Sequence, residues 1–242
     1  MRVVAIIPAR FQSSRFPGKP LVEILGVSLL RRVHARCLLA LPKSDVYVAT
    51  DDERIRLHCE QGGIQVIMTG SHCLTGTDRV HQAAQQIEAD LFLNVQGDEP
   101  LIDPVDINAV LDACRARPSE VINAMCPIEE KSDFLSTMVP KVVARPDGRL
   151  LYMSRAAIPT TKNHEFVRAM KQVCIYGLPR AALAQFAACK RKTPLEQLED
   201  IEILRFLELG YEVRMVQVSG ASIAVDTPGD VARVEKALRE RA

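Results

Sequence analysis

The sequence lacks a surplus of charge, a long apolar run and any paired-cysteine motif, and each lack removes a class of function. Its 31 basic and 30 acidic side chains leave a net charge of +1, so no extended field draws nucleic acid or an anionic membrane. An anionic substrate must instead be gripped by cations clustered locally. The first apolar stretch, Val3 to Ile7, is stopped by Pro8 and Arg10. It is too short for a signal-peptide core or a membrane span, and the expectation is a soluble, cytoplasmic protein. Seven cysteines at positions 37, 59, 73, 114, 126, 174 and 189 show no CxxC spacing. That odd, scattered set suits a reducing compartment better than a disulfide framework. The five histidines keep no ligand spacing with cysteine or acid, which argues against zinc. There is also no GxSxG elbow for a hydrolase triad.

What the sequence does have is a core. Hydrophobic residues make up 48% of 242, and short apolar runs alternate with longer helix-period segments. That alternation predicts an α/β fold with a mostly parallel sheet. Strands are expected at Val3–Ile7, Val46–Ala49, Val66–Met68, Leu91–Val95 and Val213–Val218. Helical spacing covers Val27–Leu41, a segment through Cys59 that Asp51 can cap, Thr77–Ile87, a segment opened by Asp103-Pro104, and Pro228–Arg239. Thr193-Pro194-Leu195-Glu196 combines an N-cap threonine, a first-turn proline and a capping-box glutamate, so a long helix should run from there to about Leu209. Lys141–Ala144 and Leu150–Met153 flank Pro146-Asp147-Gly148 and read as a hairpin. Thr160 to Glu165 is the expected mobile loop. No repeat or linker divides the chain, which reads as one domain over 1–242 with roughly 130–195 forming an appended lobe.

The most informative segment is PARFQSSRFPGKPL, Pro8 to Leu21. It follows the first strand, at the carboxyl edge where open α/β sheets bind ligands. Arg10 and Arg15 offer planar forks that match phosphate oxygens, and Lys19 a compact charge. This is neither a Walker A loop, since Pro20 follows Lys19, nor GxGxxG. The placement favours phosphate binding over a merely solvated basic loop.

A triphosphate also calls for Mg²⁺ on one or two carboxylates. Asp98 follows the apolar run Leu91 to Val95, and Asp226 stands just before the last helix. Either can reach the same sheet edge as the basic loop. Each also has a plainer reading, Asp98 as a turn residue beside Gly97 and Asp226 as a helix cap. Asp51 and Asp52 read as cap and first-turn acid.

PARFQSSRFPGKPL, TGTDR at Thr75 to Arg79, NVQGDEP at Asn94 to Pro100, YMSRAAIP at Tyr152 to Pro159, IYG at Ile175 to Gly177 and VDTP at Val225 to Pro228 together resemble the 3-deoxy-manno-octulosonate (Kdo) cytidylyltransferases, also called CMP-Kdo synthetases. The resemblance runs in order along nearly the whole chain. It implies a doubly wound, nucleotide-diphospho-sugar transferase-like fold, a homodimer, CTP and a Kdo-type sugar acid as substrates, Mg²⁺ as cofactor, and a place in lipopolysaccharide or capsule synthesis. It places Ala9, Arg10, Arg15, Lys19, Thr75, Thr77, Arg79 and Gln96 around the nucleotide, with Arg10, Arg15 and Lys19 on the triphosphate. Lys19, Arg10 and Asp98 are the implied catalytic residues, and Asp98 and Asp226 the implied Mg²⁺ ligands. Gln96 would lie between nucleotide and sugar, Arg155 would meet the sugar carboxylate, and Gln172, Tyr176 and Glu202 would line the rest of the sugar site.

The chain departs from the family pattern at three positions expected near the sugar. Gln172 replaces the usual histidine, Leu178 a second tyrosine and Ile203 a glutamine. The plainer reading is drift at positions behind the site; since a pocket that hydrogen-bonds a hydroxyl discriminates sharply, the other is a modified Kdo such as the 8-amino analogue as an alternative substrate. Two other classes compete: a glycosyltransferase that consumes a nucleotide sugar, and a non-catalytic nucleotide-binding regulator.

Overall fold

The first strand demands cover on both faces, because every residue of β1 (Val3–Ala9) is buried. Val3, Ala5, Ile7 and Ala9 point into one core, and Val4 and Ile6 into another, so strand alternation alone calls for a layer on each side. In the computed structural model, which describes residues 1–13, 15–220 and 222–240, helices supply both layers. After a two-residue hairpin, β2 (Glu23–Ile24) and β3 (Val27–Ser28), come α1 (Leu29–Leu38), β4 (Val46–Thr50), α2 (Glu53–Gln61), β5 (Gln65–Met68) and α3 (Gly76–Ala84). The chain then passes through β6 (Leu91–Val95), α4 (Pro104–Ala116), β7 (Val121–Pro127), α5 (Lys131–Leu135), β8 (Lys141–Ala144), β9 (Leu150–Ser154) and β10 (Met170–Pro179). It ends with α6 (Arg180–Ala188), α7 (Pro194–Glu199), α8 (Ile203–Glu208), β11 (Val213–Gln217) and α9 (Pro228–Glu240).

The main path of the nine-stranded sheet runs β11-β7-β10-β6-β1-β4-β5. β1 is parallel to β4 and β6, β5 to β4, and β11 to β7, whereas β10 is antiparallel to both its neighbours. Apolar side chains of α1, α2 and α4 fill one core, and those of α3, α6 and α8 the other. A third, small core joins Ile24, Leu29 and Phe16 to Val225 and Val234, docking α9 onto the early hairpin. Among the described residues no helix is long and apolar enough to cross a membrane.

The five expected strands are present. β7 and β10 are additions, and β10 alters the expected lobe. Of residues 130–195, only the β8–β9 hairpin, α5 and the irregular chain up to 169 lie to the side, while β10 crosses the middle of the sheet. β10 is hard to read because Gly177 interrupts its apolar pattern. A Cβ there would stand 2.1 Å from Cys114 Sγ of α4, so the position trades strand propensity for close helix–sheet packing. Helix α2 is capped by Asp52, whose carboxylate accepts from Arg54 N. Asp51, expected in that role, pairs with Arg79 at 3.2 Å instead.

The long helix expected from Thr193 to about Leu209 is two short ones. Its start is as expected, with the Thr193–Glu196 capping box formed. At Asp200 the backbone turns left-handed, with φ at 51°. Arg155 takes the carbonyls that continued helix would use, donating through Nε to Glu199 O and through Nη2 to Asp200 O. The two helices are instead held together by Arg205, a guanidinium with no solvent exposure. It donates to both Glu196 oxygens at 2.6 Å, to Asp78 at 2.9 and 3.3 Å and to Phe186 O at 3.2 Å. It also lies 3.7 Å over the Phe186 ring.

Removing one member of a buried ionic group strands the others, at a cost of about 3–5 kcal/mol. Arg205→Met is therefore expected to lower unfolding stability by about that amount, read by urea titration. A loss under about 1 kcal/mol would mean that Glu196 and Asp78 are readily resolvated.

Candidate active site

The carboxyl ends of β1 and β6 open into a cleft of about 310 Å³. Its floor is the basic loop. β1 ends at Ala9, and the chain then curls back so that Gly18 N donates to Phe11 O at 2.8 Å. Gly18 adopts φ of 75°, and a Cβ on it would press on the Phe11 ring at 3.1 Å, so glycine suits the turn twice over. Phe11 packs against the first core and carries Arg54 over its ring, which anchors the loop. Arg10, Ser13, Arg15 and Lys19 all line the cleft, while Ser14 lies outside the described residues.

Two carboxylates converge on this floor. Lys19 Nζ is 3.3 Å from Asp98 Oδ2 and 3.6 Å from Asp226 Oδ1, and Arg15 Nη2 is 3.3 Å from the same Asp226 oxygen. The backbone joins them too, since Val225 N donates to Asp98 O at 2.9 Å. Asp226 stands one residue before the N-cap position of α9, which Thr227 holds, while Asp230 inside the helix accepts from Asp226 N, Thr227 N and Thr227 Oγ1. The Asp226 side chain is thereby left to face the cations. Among the described residues Asp98 Oδ1 is buried without a hydrogen-bond partner, an oxygen aimed at something more than a turn. Oxygen-only donors of this kind suit a small hard cation such as Mg²⁺. Among the described residues no three His, Cys, Asp or Glu side chains form a metal-sized group, so a cation here would draw its remaining ligands from substrate and water. The adjacent Glu99 carboxyl is pushed up to about 7 by burial and then by the charge of Asp98.

One wall is the amino end of α3. Thr75 caps it, accepting from Asp78 N and donating to Asp78 Oδ2 at 2.8 Å. Glu202, from the α7–α8 corner, accepts from Gly76 N at 3.0 Å, Thr77 N at 2.9 Å and Thr77 Oγ1 at 2.5 Å. Burial pushes its carboxyl up, against the pull of these donors. Thr77 Oγ1 also accepts from Asn94 Nδ2 at 3.2 Å, which ties the wall to β6.

This geometry can hold a polyanion and a hard cation between a helix terminus and a cationic turn, and its likeness to known proteins is specific. A family model described as Cytidylyltransferase matches residues 4–216. A 3-deoxy-manno-octulosonate cytidylyltransferase of Geobacter metallireducens is 41% identical, covering 98% of each chain. The chain belongs to the 3-deoxy-manno-octulosonate cytidylyltransferase family. An 8-amino-3,8-dideoxy-manno-octulosonate cytidylyltransferase of Shewanella halifaxensis is 39% identical, over 98% of this chain and 99% of that one. A solved CMP:2-keto-3-deoxy-manno-octonic acid synthetase complexed with CTP is 34% identical over 100% of both chains, with a TM-score of 0.92.

Of the residues that the cytidylyltransferase motifs single out, Ala9, Arg10, Arg15, Lys19, Thr75, Arg79, Gln96, Asp98, Glu202 and Asp226 line the cleft. Arg79 is buried there, bonded to Thr69 Oγ1 and paired with Asp51. Four others stand elsewhere. Thr77 turns inward to Glu202 and Asn94. Tyr176 is buried, and Gln172 donates to its hydroxyl at 3.2 Å and to Asn123 Oδ1 at 2.9 Å. Arg155, expected at a sugar carboxylate, is committed to main-chain carbonyls of Thr137, Glu199 and Asp200.

The departures from the family pattern change their meaning accordingly. Leu178 and Ile203 are fully buried in the second core, and Gln172 is outside the cleft lining, so none of the three is a cleft-lining group. Sequence reasoning missed four lining residues that lie outside its motifs, Cys73, Leu74, Lys192 and Asp200. Asp200 sits where a continuous helix was expected and ends α7 instead, and Lys192 stands just before the N-cap Thr193.

Thr77→Val keeps the shape but removes the hydroxyl that serves Glu202 and Asn94. Leaving such buried partners unsatisfied costs about 1–3 kcal/mol, expected as a lower urea midpoint. An unchanged midpoint would show that water replaces the hydroxyl.

Proposed function

We propose that this chain transfers CMP from CTP to Kdo or a close 2-keto-3-deoxy sugar acid, releases pyrophosphate and uses Mg²⁺. The observation that carries the reading is the convergence of Lys19, Asp98 and Asp226 beside a three-cation loop. A relative's structure with CTP and the printed names of full-length relatives support it. A protein of the 8-amino type matches at nearly the same identity, so that analogue belongs among the acceptors to be tested.

The chemistry is an in-line attack of the sugar's anomeric hydroxyl on the α-phosphorus of CTP. The nucleophile–phosphorus bond forms as the bond to pyrophosphate breaks, and the hydroxyl proton leaves to solvent. Positioning and charge neutralisation supply most of the catalysis in such transfers. Arg10 and Arg15 fit the non-bridging phosphate oxygens by their planar forks, and Lys19 follows charge as it builds on the leaving group. Thr75 and Arg79 form the nucleoside wall, with Gln96 between nucleotide and acceptor. Asp98 and Asp226 would hold Mg²⁺, whose bound charge would neutralise phosphate and polarise the attacking hydroxyl. Thr77 supports that wall from behind rather than touching the nucleotide. Glu202 steadies the same helix end while facing the cleft.

We also propose a homodimer formed through the side elements of 130–170, where Leu135, Met138, Leu151 and Val167 are exposed. The seven cysteines are free, in keeping with a reducing compartment such as the cytoplasm.

A pyrophosphate-release assay with CTP and a panel of 2-keto-3-deoxy sugar acids, Kdo and its 8-amino analogue included, tests the reaction. Turnover with none of them would refute it. Asp98→Asn and Asp226→Asn are each expected to cost on the order of 100-fold or more in kcat and to weaken calorimetric Mg²⁺ uptake by the CTP-bound protein, with unfolding midpoints intact. Near-normal rates at saturating Mg²⁺ would return the residue to a turn or loop role. Sedimentation at micromolar concentration tests the dimer, and a monomer mass would count against it.

A further inference from the structure

The acceptor proposed above carries a carboxylate, and the cleft must offer it a cation that the triphosphate does not need. The expected one, Arg155, has its guanidinium spent on three main-chain carbonyls at the α7–α8 corner. Arg79 is 4% exposed and held by Thr69 and Asp51. Lys19 and Arg15 face Asp226, and Arg10 shares their loop. Lys192 is different. It lines the cleft from outside the loop, and its ammonium pairs with Asp200, another lining residue. The Asp200 side chain is 72% exposed and that of Lys192 27%. Ion pairs this open to water contribute little to stability, so one carboxylate can replace another at small cost.

We infer that Lys192 is the contact for the acceptor's carboxylate and that Asp200 occupies its place until the acceptor arrives. Asp200 is suited to that task by its left-handed backbone, φ 51°, which ends α7 and turns the side chain to the cleft mouth. Arg155 then acts through position: by holding Glu199 O and Asp200 O it fixes the corner on which the pair sits. The geometry thus moves carboxylate recognition from the arginine that the family motif points to onto a lysine outside every motif.

This inference rests on the proposed reaction, and the two fail differently. Pyrophosphate release by the unmodified chain reports on the reaction, and its absence with every acid overturns both. With turnover established, Lys192→Gln is expected to raise KM for the sugar acid about tenfold, as loss of a charge-assisted contact should, and to leave KM for CTP unchanged. Asp200→Asn keeps a residue that tolerates the left-handed backbone but frees Lys192, so KM for the acid should stay level or fall. If the pair merely stiffens the corner, both variants will weaken acid binding alike, which overturns the inference. It is equally overturned if Lys192→Gln leaves acid KM unchanged or raises KM for CTP instead.

Discussion

Arg205 has no access to water, and three elements meet on its guanidinium: α7 through Glu196, α3 through Asp78 and α6 through Phe186 O. A charge so placed is tolerable only when its donors are answered, which leaves little freedom in how those elements pack. Asp78 is also the partner of Thr75, the cap at the cleft wall. Three residues before Arg205, Glu202 gathers the first amides of α3. The cleft wall is therefore set by an ionic junction beneath it, and its amides keep a fixed direction without help from a ligand.

The cleft itself is internally neutralised. Lys19 and Arg15 face Asp98 and Asp226, Arg79 faces Asp51, and Lys192 faces Asp200. Charges held this way do not repel one another before substrate binds. They differ in how readily they can change partner, and that difference sorts them by task. The buried Arg79 pair is scaffold, whereas the half-open pairs of the loop and the α7–α8 corner are available for exchange. A chain with almost no net charge can thus still gather five cations, Arg10, Arg15, Lys19, Arg79 and Lys192, along one cleft.

Much of this was legible in the sequence where local pattern and tertiary role agree. β1, β4 and β6 are apolar runs that are also buried strands, β5 and β11 are apolar runs at the partly exposed ends of the sheet, and the Thr193–Glu196 box caps a helix as written. The basic loop and Asp98 could be placed because each follows directly from a strand. The rest depended on contacts distant in sequence. Gly177 gives β10 its packing against Cys114 at the expense of its strand signature. Asp200 breaks a helix that propensity would have continued, with Arg155 from β9's end capping the break. Asp226 had a local reading as a cap, and only the structure shows its carboxylate turned to Lys19 and Arg15. Gln172, Leu178 and Ile203 fall in sugar-site segments along the chain but outside the cleft lining, since two face an apolar core and one bonds to Asn123 and Tyr176.

The bond from Val225 N to Asp98 O brings the middle of the chain against its last sixth. The docking of α9 on Ile24, Leu29 and Phe16 likewise joins the end of the chain to its beginning. A growing polypeptide can therefore complete the basic loop and all the parallel strands around β1 while still lacking Asp226. The cleft lining gains Asp226 only from a segment that reaches back, with α9, over the earliest hairpin. Contacts of such long sequence separation slow folding, because a long loop must close before they form. Asp98 and Asp226 are thus brought to one cleft only by a contact that spans more than half of the sequence.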